Sequence, residues 1–177
     1  MWPDTARVPL LGFAAWSGTG KTTLLRRVIP LLRADGLRLA LIKHAHHAFD
    51  VDTPGKDSHT LRKAGADQVL VTSDRRWALM VERPPDDVLS LREELARLDQ
   101  DSADLVLVEG FRHESFPKLE LLRPAGDERE PLHVNDASII AVAAPGGMRT
   151  SDALPRLPLD EPQSVAAFIR DRVATPL

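Results

Sequence analysis

Residues 12–28, GFAAWSGTGKTTLLRRV, run from an apolar strand through a glycine-spaced turn into a helix that opens with a lysine and two threonines. Within them, Ala15-Trp16-Ser17-Gly18-Thr19-Gly20-Lys21-Thr22 fits the phosphate-loop pattern G-x-x-x-x-G-K-[ST], with Ala15 in the place of the first glycine. A methyl group is accommodated there if the residue keeps a negative φ, while Gly18 and Gly20 let the backbone approach an anion closely. Successive backbone N–H groups and the positive end of the helix then cradle phosphate. Lys21 adds a mobile charge for the β and γ oxygens, Thr22 a hydroxyl for Mg²⁺, and Thr23 a hydroxyl within reach of the α-phosphate. Ser17, Gly18, Thr19, Gly20, Lys21, Thr22 and Thr23 are therefore the candidate nucleotide-binding residues. A glycine turn opening an ordinary helix is the plainer alternative; strand, loop, lysine, threonine and helix in this order favour the phosphate site.

Such a site has a second half, an acid at the end of a neighbouring apolar strand that holds magnesium through water or orients an attacking water. The run LVLVEG supplies Glu109, followed by Gly110, which permits close backbone approach. The competing reading takes Glu109 as the strand's exit to solvent. A further segment, KHAHHAFDVDTPGKDS (43–58), gathers Lys43, His44, His46, His47, Asp50, Asp52, Lys56 and Asp57 without periodicity. In open α/β sheets the loops after strand C-termini form the ligand crevice. Asp50 or Asp52 is thus a candidate for the magnesium shell or for sensing the γ-phosphate, so that Thr22, Asp50, Asp52 and Glu109 form the candidate metal set. Histidine with aspartate also suits several transition metals, and a polar surface loop is the third possibility.

Along the rest of the chain, KTTLLRRVIPLLRADG carries Leu24, Leu25, Val28, Leu31 and Leu32 at helical spacing and closes at Gly36 as a left-handed cap, with Pro30 expected to kink the helix. LRLALIK reads as a buried strand, and Asp57 or Ser58 as the cap of a short helix through Leu61 to Ala64. QVLVTSDRRWALMVE reads as an antiparallel hairpin at the edge of the sheet. DDVLSLREELARLDQ is an amphipathic helix, KLELL and ASIIAVAAP are strands, and DEPQSVAAFIRDRVA is a terminal helix. The proline-rich stretch 144–158 reads as a surface loop. Apolar strands alternating with helices predict an α/β fold of the phosphate-loop NTPase kind, a three-layer sandwich with a mostly parallel sheet and an antiparallel hairpin, built as a single domain over 1–177.

Composition narrows the function. A formal charge of -3, from 23 basic and 26 acidic residues, provides no basic field for nucleic acid. Cysteine is absent, which excludes disulfides, thiolate zinc sites and cysteine nucleophiles. The apolar run from Val8 to Trp16 lacks a basic leader, and no run approaches the roughly 20 residues a membrane span needs. The expectation is a soluble, cytoplasmic protein without nucleic-acid or membrane partners.

FAAWSGTGKTTLL, LIKHAHHAFDVDTPGKDS, LRKAGA, RWALM and LVLVEGFRHE, in that order, closely resemble the molybdopterin-guanine dinucleotide biosynthesis protein B (MobB) family, from about residue 9 to 143. The resemblance implies a GTP-binding protein with weak GTPase activity, using GTP and Mg²⁺. It also implies a homodimer that acts as an adapter beside molybdenum cofactor biosynthesis enzymes, the guanylyltransferase and the molybdenum insertion protein. No N-K-x-D guanine-reading motif is present, so the preference for GTP rests on the resemblance; Asn135, Asp136 and Asp160 are possible base readers, with turn or helix-boundary roles as the alternative. Two other functions compete. One is a small-molecule kinase, for which Arg112, Arg123 and Arg129 are available but no lid-like insertion is evident. The other is a metal-delivery GTPase using the His/Asp loop. The run Trp77 to Val81, apolar on both faces, points to dimerisation through the hairpin.

Overall fold

A computed structural model describes residues 3–45, 50–84, 86–123, 130–148 and 153–174. They form two compact units, one of residues 1–44 and 90–177, the other of residues 45–89. The first holds a parallel sheet of β1 (Leu10–Ala14), β2 (Leu39–Lys43), β5 (Leu105–Glu109), β6 (Lys118–Leu121), β7 (Ile139–Ala144) and β8 (Arg156–Pro158), in the order β2-β5-β1-β6-β7-β8. The second contains β3 (Gln68–Thr72) and β4 (Trp77–Val81), which pair antiparallel, and helix α2 (Asp57–Lys63). Helices α1 (Lys21–Ala34), α3 (Leu91–Arg97) and α4 (Pro162–Ala174) belong to the first unit and complete the three-layer α/β fold expected from the alternation of strands and helices.

Burial follows the apolar spacing. In α1, Leu24, Leu25, Val28 and Leu32 are buried against Leu11, Phe13, Leu107 and Leu119 of the sheet and Val165, Ala166 and Ile169 of α4. Each fully buried aliphatic side chain of this kind contributes about 1.5–3 kcal/mol relative to exposure. The helix ends as its sequence predicts. Gly36 has φ 89°, its N–H donates to the Arg33 carbonyl, and the Leu37 N–H reaches back to Leu32, the paired bonds of a Schellman cap.

Three expectations change. The hairpin is not an edge of the main sheet but a two-stranded sheet of its own. Within 144–158, read as a loop, Arg156–Pro158 pairs in parallel with β7; proline is compatible with a strand at a sheet edge, where one side of the backbone needs no partner. The α2 helix starts after Lys56 with no side-chain cap, so Asp57 and Ser58 lie in its first turn rather than at its cap.

Candidate functional site

Strands β1, β5 and β2 end side by side. Phe13, Glu109 and Lys43 stand in register across them, so these side chains leave the sheet on one face, the face on which Phe13 packs with α1. The loop after β1 takes the backbone conformation its glycines permit, with φ 81° at Gly18 and 104° at Gly20. Ala15 is buried, and the single non-glycine with positive φ among the described residues is Phe111, so the substitution of the first loop glycine meets its condition. Gly20 caps α1 without any side-chain hydrogen bond, leaving the first-turn amides available to an anion. Ser17, Thr22 and Thr23 are exposed at this end, whereas the Thr19 hydroxyl closes the loop by donating to the Trp16 carbonyl at 2.8 Å.

Lys21 Nζ folds back over the loop, 3.2 Å from the Ala15 carbonyl and 3.5 Å from that of Trp16. Burial pushes its ammonium below the ordinary lysine range; Glu109 opposes the shift, and Arg112 and Lys43 add to it. The two predicted halves of the site meet directly, with Thr22 Oγ1 donating to Glu109 Oε1 at 3.0 Å. Lys43 Nζ stands 3.4 Å from Glu109 Oε2, and the Glu109 side chain is only 11% exposed. Behind it, Gly110 has φ 107°, and a Cβ there would lie 2.6 Å from His44 Cβ, so only glycine lets β2 and β5 end this close.

Several residues at the loop had no role in the sequence reading. The Arg112 guanidinium lies 4.6 Å from the centre of the Trp16 ring, a cation–π contact. Trp16 Nε1 donates to the Glu130 carbonyl at 3.2 Å, and Arg123 Nε donates to the Thr19 carbonyl at 2.9 Å. Arg112 and Arg123, noted only as arginines a kinase would require, thus hold the outside of the loop; Arg129 lies outside the described residues.

The segments carrying these contacts are tied down by two charged residues buried in β6. Lys118 Nζ donates to the carbonyls of Arg112 at 3.0 Å and Glu114 at 2.6 Å and pairs with Asp136 at 2.7 Å. Its stem crosses Gly12, where a Cβ would sit 2.6 Å from Lys118 Cγ. Glu120 accepts the N–H groups of Leu132 at 2.6 Å and His133 at 3.1 Å and meets His133 Nδ1 at 2.6 Å. Burial raises the Asp136 carboxyl, but the hydrogen bonds from Lys118 and Ser138 outweigh it and hold the group below the usual carboxylate range. Removing one partner of a buried pair costs about 3–5 kcal/mol. The visible signal was the pair of charges inside the strand KLELL.

Asp136 is thereby committed to structure, and Asn135 donates to Glu130 at 2.7 Å. Asp160 is exposed, and its carbonyl accepts from Arg27 at 3.1 Å. Asp50 and Asp52 belong to the second unit, where Arg62 pairs with them at 2.6 and 2.7 Å and also with Glu82. These hydrogen bonds hold the Asp52 carboxyl below its ordinary range and raise Arg62. Asp50 or Asp52 was a candidate for the magnesium shell or for sensing the γ-phosphate; in the described contacts both carboxylates pair with Arg62. Among the described residues no three His, Asp or Glu side chains converge as a metal set. The His44 ring lies 5.0 Å from Phe111, and His46 and His47 are outside the described residues.

A family model described as molybdopterin guanine dinucleotide synthesis protein B, MobB, matches residues 10–145. The chain belongs to the MobB family. Its MobB span contains the phosphate loop, Glu109 and both buried charges of β6, while β8 and α4 follow it. The chain is 49% identical over 162 residues to the molybdopterin-guanine dinucleotide biosynthesis adapter protein of Escherichia coli K12, covering 92% of this chain and 91% of that protein. It is 44% identical over 137 residues to the Haemophilus influenzae protein of the same name, covering 77% and 75%. A crystal structure of a MobB homolog from Bacillus stearothermophilus, 25% identical, superposes with a TM-score of 0.70 over 94% of this chain and 98% of that one. Bacillus subtilis MobB, 24% identical, shares the fold with a TM-score of 0.72 over 92% and 96%. No helix among the described residues is long and apolar enough to cross a membrane.

Proposed function

We propose that this MobB-family chain binds GTP with Mg²⁺, hydrolyses it weakly, and acts as a homodimeric cytoplasmic adapter for enzymes of molybdenum cofactor biosynthesis, the guanylyltransferase and the molybdenum insertion protein. The nucleotide half of the proposal is carried by one observation, the 3.0 Å hydrogen bond that joins Thr22 of the phosphate loop to Glu109 of β5. A hydroxyl and a carboxylate are the hard oxygen donors that magnesium takes, so Thr22 and Glu109 are the residues that would hold it. When bound there, such an ion would neutralise the charge that develops on the phosphates. Asp50 and Asp52 are left out of the set because Arg62 occupies them.

Around that centre the chain's own groups act by positioning. The loop amides and Lys21 hold the phosphates, and Glu109 orients the water that attacks them. The adapter half rests on the two relatives that bear that name. The homodimer is supported by the apolar hairpin, where Leu70, Trp77, Leu79 and Val81 are exposed.

Calorimetric titration of the purified protein with GTP and with ATP in Mg²⁺ tests the proposal. Binding of GTP at least tenfold tighter than ATP is expected, that is by about 1.4 kcal/mol or more. A preference for ATP would replace the GTP reading, and no affinity for either would end it.

A further inference from the structure

Among the described residues, four cationic side chains surround the phosphate loop, and three of these have a partner on the loop itself. Lys21 lies over the carbonyls of Ala15 and Trp16, Arg112 over the Trp16 ring, and Arg123 on the Thr19 carbonyl. The fourth, Lys43, comes from the end of β2 and touches Glu109 instead, at 3.4 Å from Oε2. Glu109 Oε1 takes the Thr22 hydroxyl, so the Lys43 ammonium stands one carboxylate away from the second residue of α1. In the proposed site this is the side on which a triphosphate would present its terminal oxygens, since Thr22 and Glu109 are the residues that would hold magnesium there.

The contact with Glu109 is a weak reason for a lysine to be there. The Lys43 side chain is 52% exposed, and an ion pair with one partner in water contributes little to stability. An ammonium on a flexible four-carbon stem is well suited to exchange one anionic partner for a stronger one. A terminal phosphoryl group, with about two negative charges at neutral pH, is such a partner. The Lys21 ammonium is lowered chiefly by burial; Glu109 opposes the shift, and Arg112 and Lys43 add smaller contributions to it.

We infer that Lys43 is a second phosphate-binding cation, one that holds the terminal phosphoryl group of a nucleoside triphosphate from the β2 side while Lys21 holds it from the β1 side. The inference rests on the proposed nucleotide site and adds a specificity to it. Lys43 distinguishes a nucleoside triphosphate from a diphosphate, which has nothing at that position.

The test is titration of the full chain with Mg²⁺ and either GDP or a non-hydrolysable GTP analogue. In Lys43→Ala the analogue should bind about 10–100-fold more weakly, the loss expected for a charge-assisted hydrogen bond, with GDP affinity within about twofold of the parent. Lys43→Arg should recover most of the difference. Lys43→Met, which keeps the apolar stem, takes the place of Lys43→Ala if the latter does not fold. Equal weakening of both ligands, or of neither, would overturn the inference and leave the nucleotide site standing. A parent chain that binds neither ligand would instead overturn the site on which the inference depends.

Discussion

In the unit of residues 1–44 and 90–177, strands β1, β5 and β6 are buried along their whole length; in the unit of residues 45–89, helix α2 has no buried residue and the hairpin leaves Leu70, Trp77, Leu79 and Val81 half exposed or more. The first unit meets the entropic cost of folding by burying apolar side chains on both faces of its sheet. The second gathers three carboxylates around Arg62, whose side chain is 8% exposed. A lone two-stranded hairpin is marginal in water. The contrast teaches that the buried sheet carries the proposed nucleotide site, while the small unit leaves large apolar side chains exposed.

The sharpest way to break this contrast is to remove function from the scaffold without touching its packing. Lys21→Ala should weaken nucleotide binding by more than about 100-fold, since a charged contact to phosphate is lost in a partly buried site. Its far-ultraviolet circular dichroism and melting temperature should stay close to those of the parent, because the Lys21 ammonium touches loop carbonyls rather than the core. Loss of the fold together with binding would mean that loop and scaffold are one cooperative element.

A second, smaller effect is expected at the hairpin. Leu79 is 50% exposed on β4, and a charge there should oppose any apolar contact between two copies. Leu79→Lys should weaken the proposed dimer by about tenfold or more, the loss of roughly one buried aliphatic side chain in each subunit. Light scattering across a concentration series measures it. A parent that stays monomeric at high concentration removes the homodimer, and a dimer indifferent to the substitution moves the interface away from β4.

The same contrast explains what was legible in the sequence. Lys21, Thr22 and the glycines could be placed because a phosphate loop is local, and the Gly36 cap likewise depends on neighbours within a turn. Glu109 could be singled out because an acid ending the apolar run LVLV stands out, and the fold brings it to Thr22. The ties made by Lys118 and Glu120 were not legible, since their partners Asp136 and His133 lie beyond a second segment of chain and only the fold brings them together. The pairing of Asp50 and Asp52 with Arg62 was hidden for the same reason: nothing in a linear reading ranks a guanidinium above a metal ion as their partner. Strand β8 was hidden by its prolines, which signal a loop wherever the tolerance of a sheet edge is not yet visible. The hairpin was legible as two β-rich runs joined across a polar turn, but its independence from the main sheet is a matter of which backbone groups pair, and side-chain pattern does not report that.

The smallest effect expected is acid weakening of the clamp in the second unit. The Asp52 carboxyl is held below its ordinary range chiefly by the hydrogen bonds from Arg62, with burial opposing and His59 adding attraction. A carboxyl with a depressed folded value contributes stability that is fully present above the unfolded value of about 3.9 and is lost as pH falls toward the folded value. Arg62 remains charged throughout, so the pH dependence follows Asp52. In the first unit Arg38 holds Asp104 at about 2, an acid-sensitive tie of the same sign. There it is one exposed pair beside strands whose burial does not titrate. Hydrogen-exchange protection of Gln68–Thr72 and Trp77–Val81 should therefore fall between pH 5 and pH 3, while that of β1 and β5 changes less. Arg62→Ala should lower hairpin protection already at pH 5 and flatten its further dependence on acid. An unchanged pH dependence in Arg62→Ala would show that the hairpin is held by contacts other than the guanidinium and its three carboxylates.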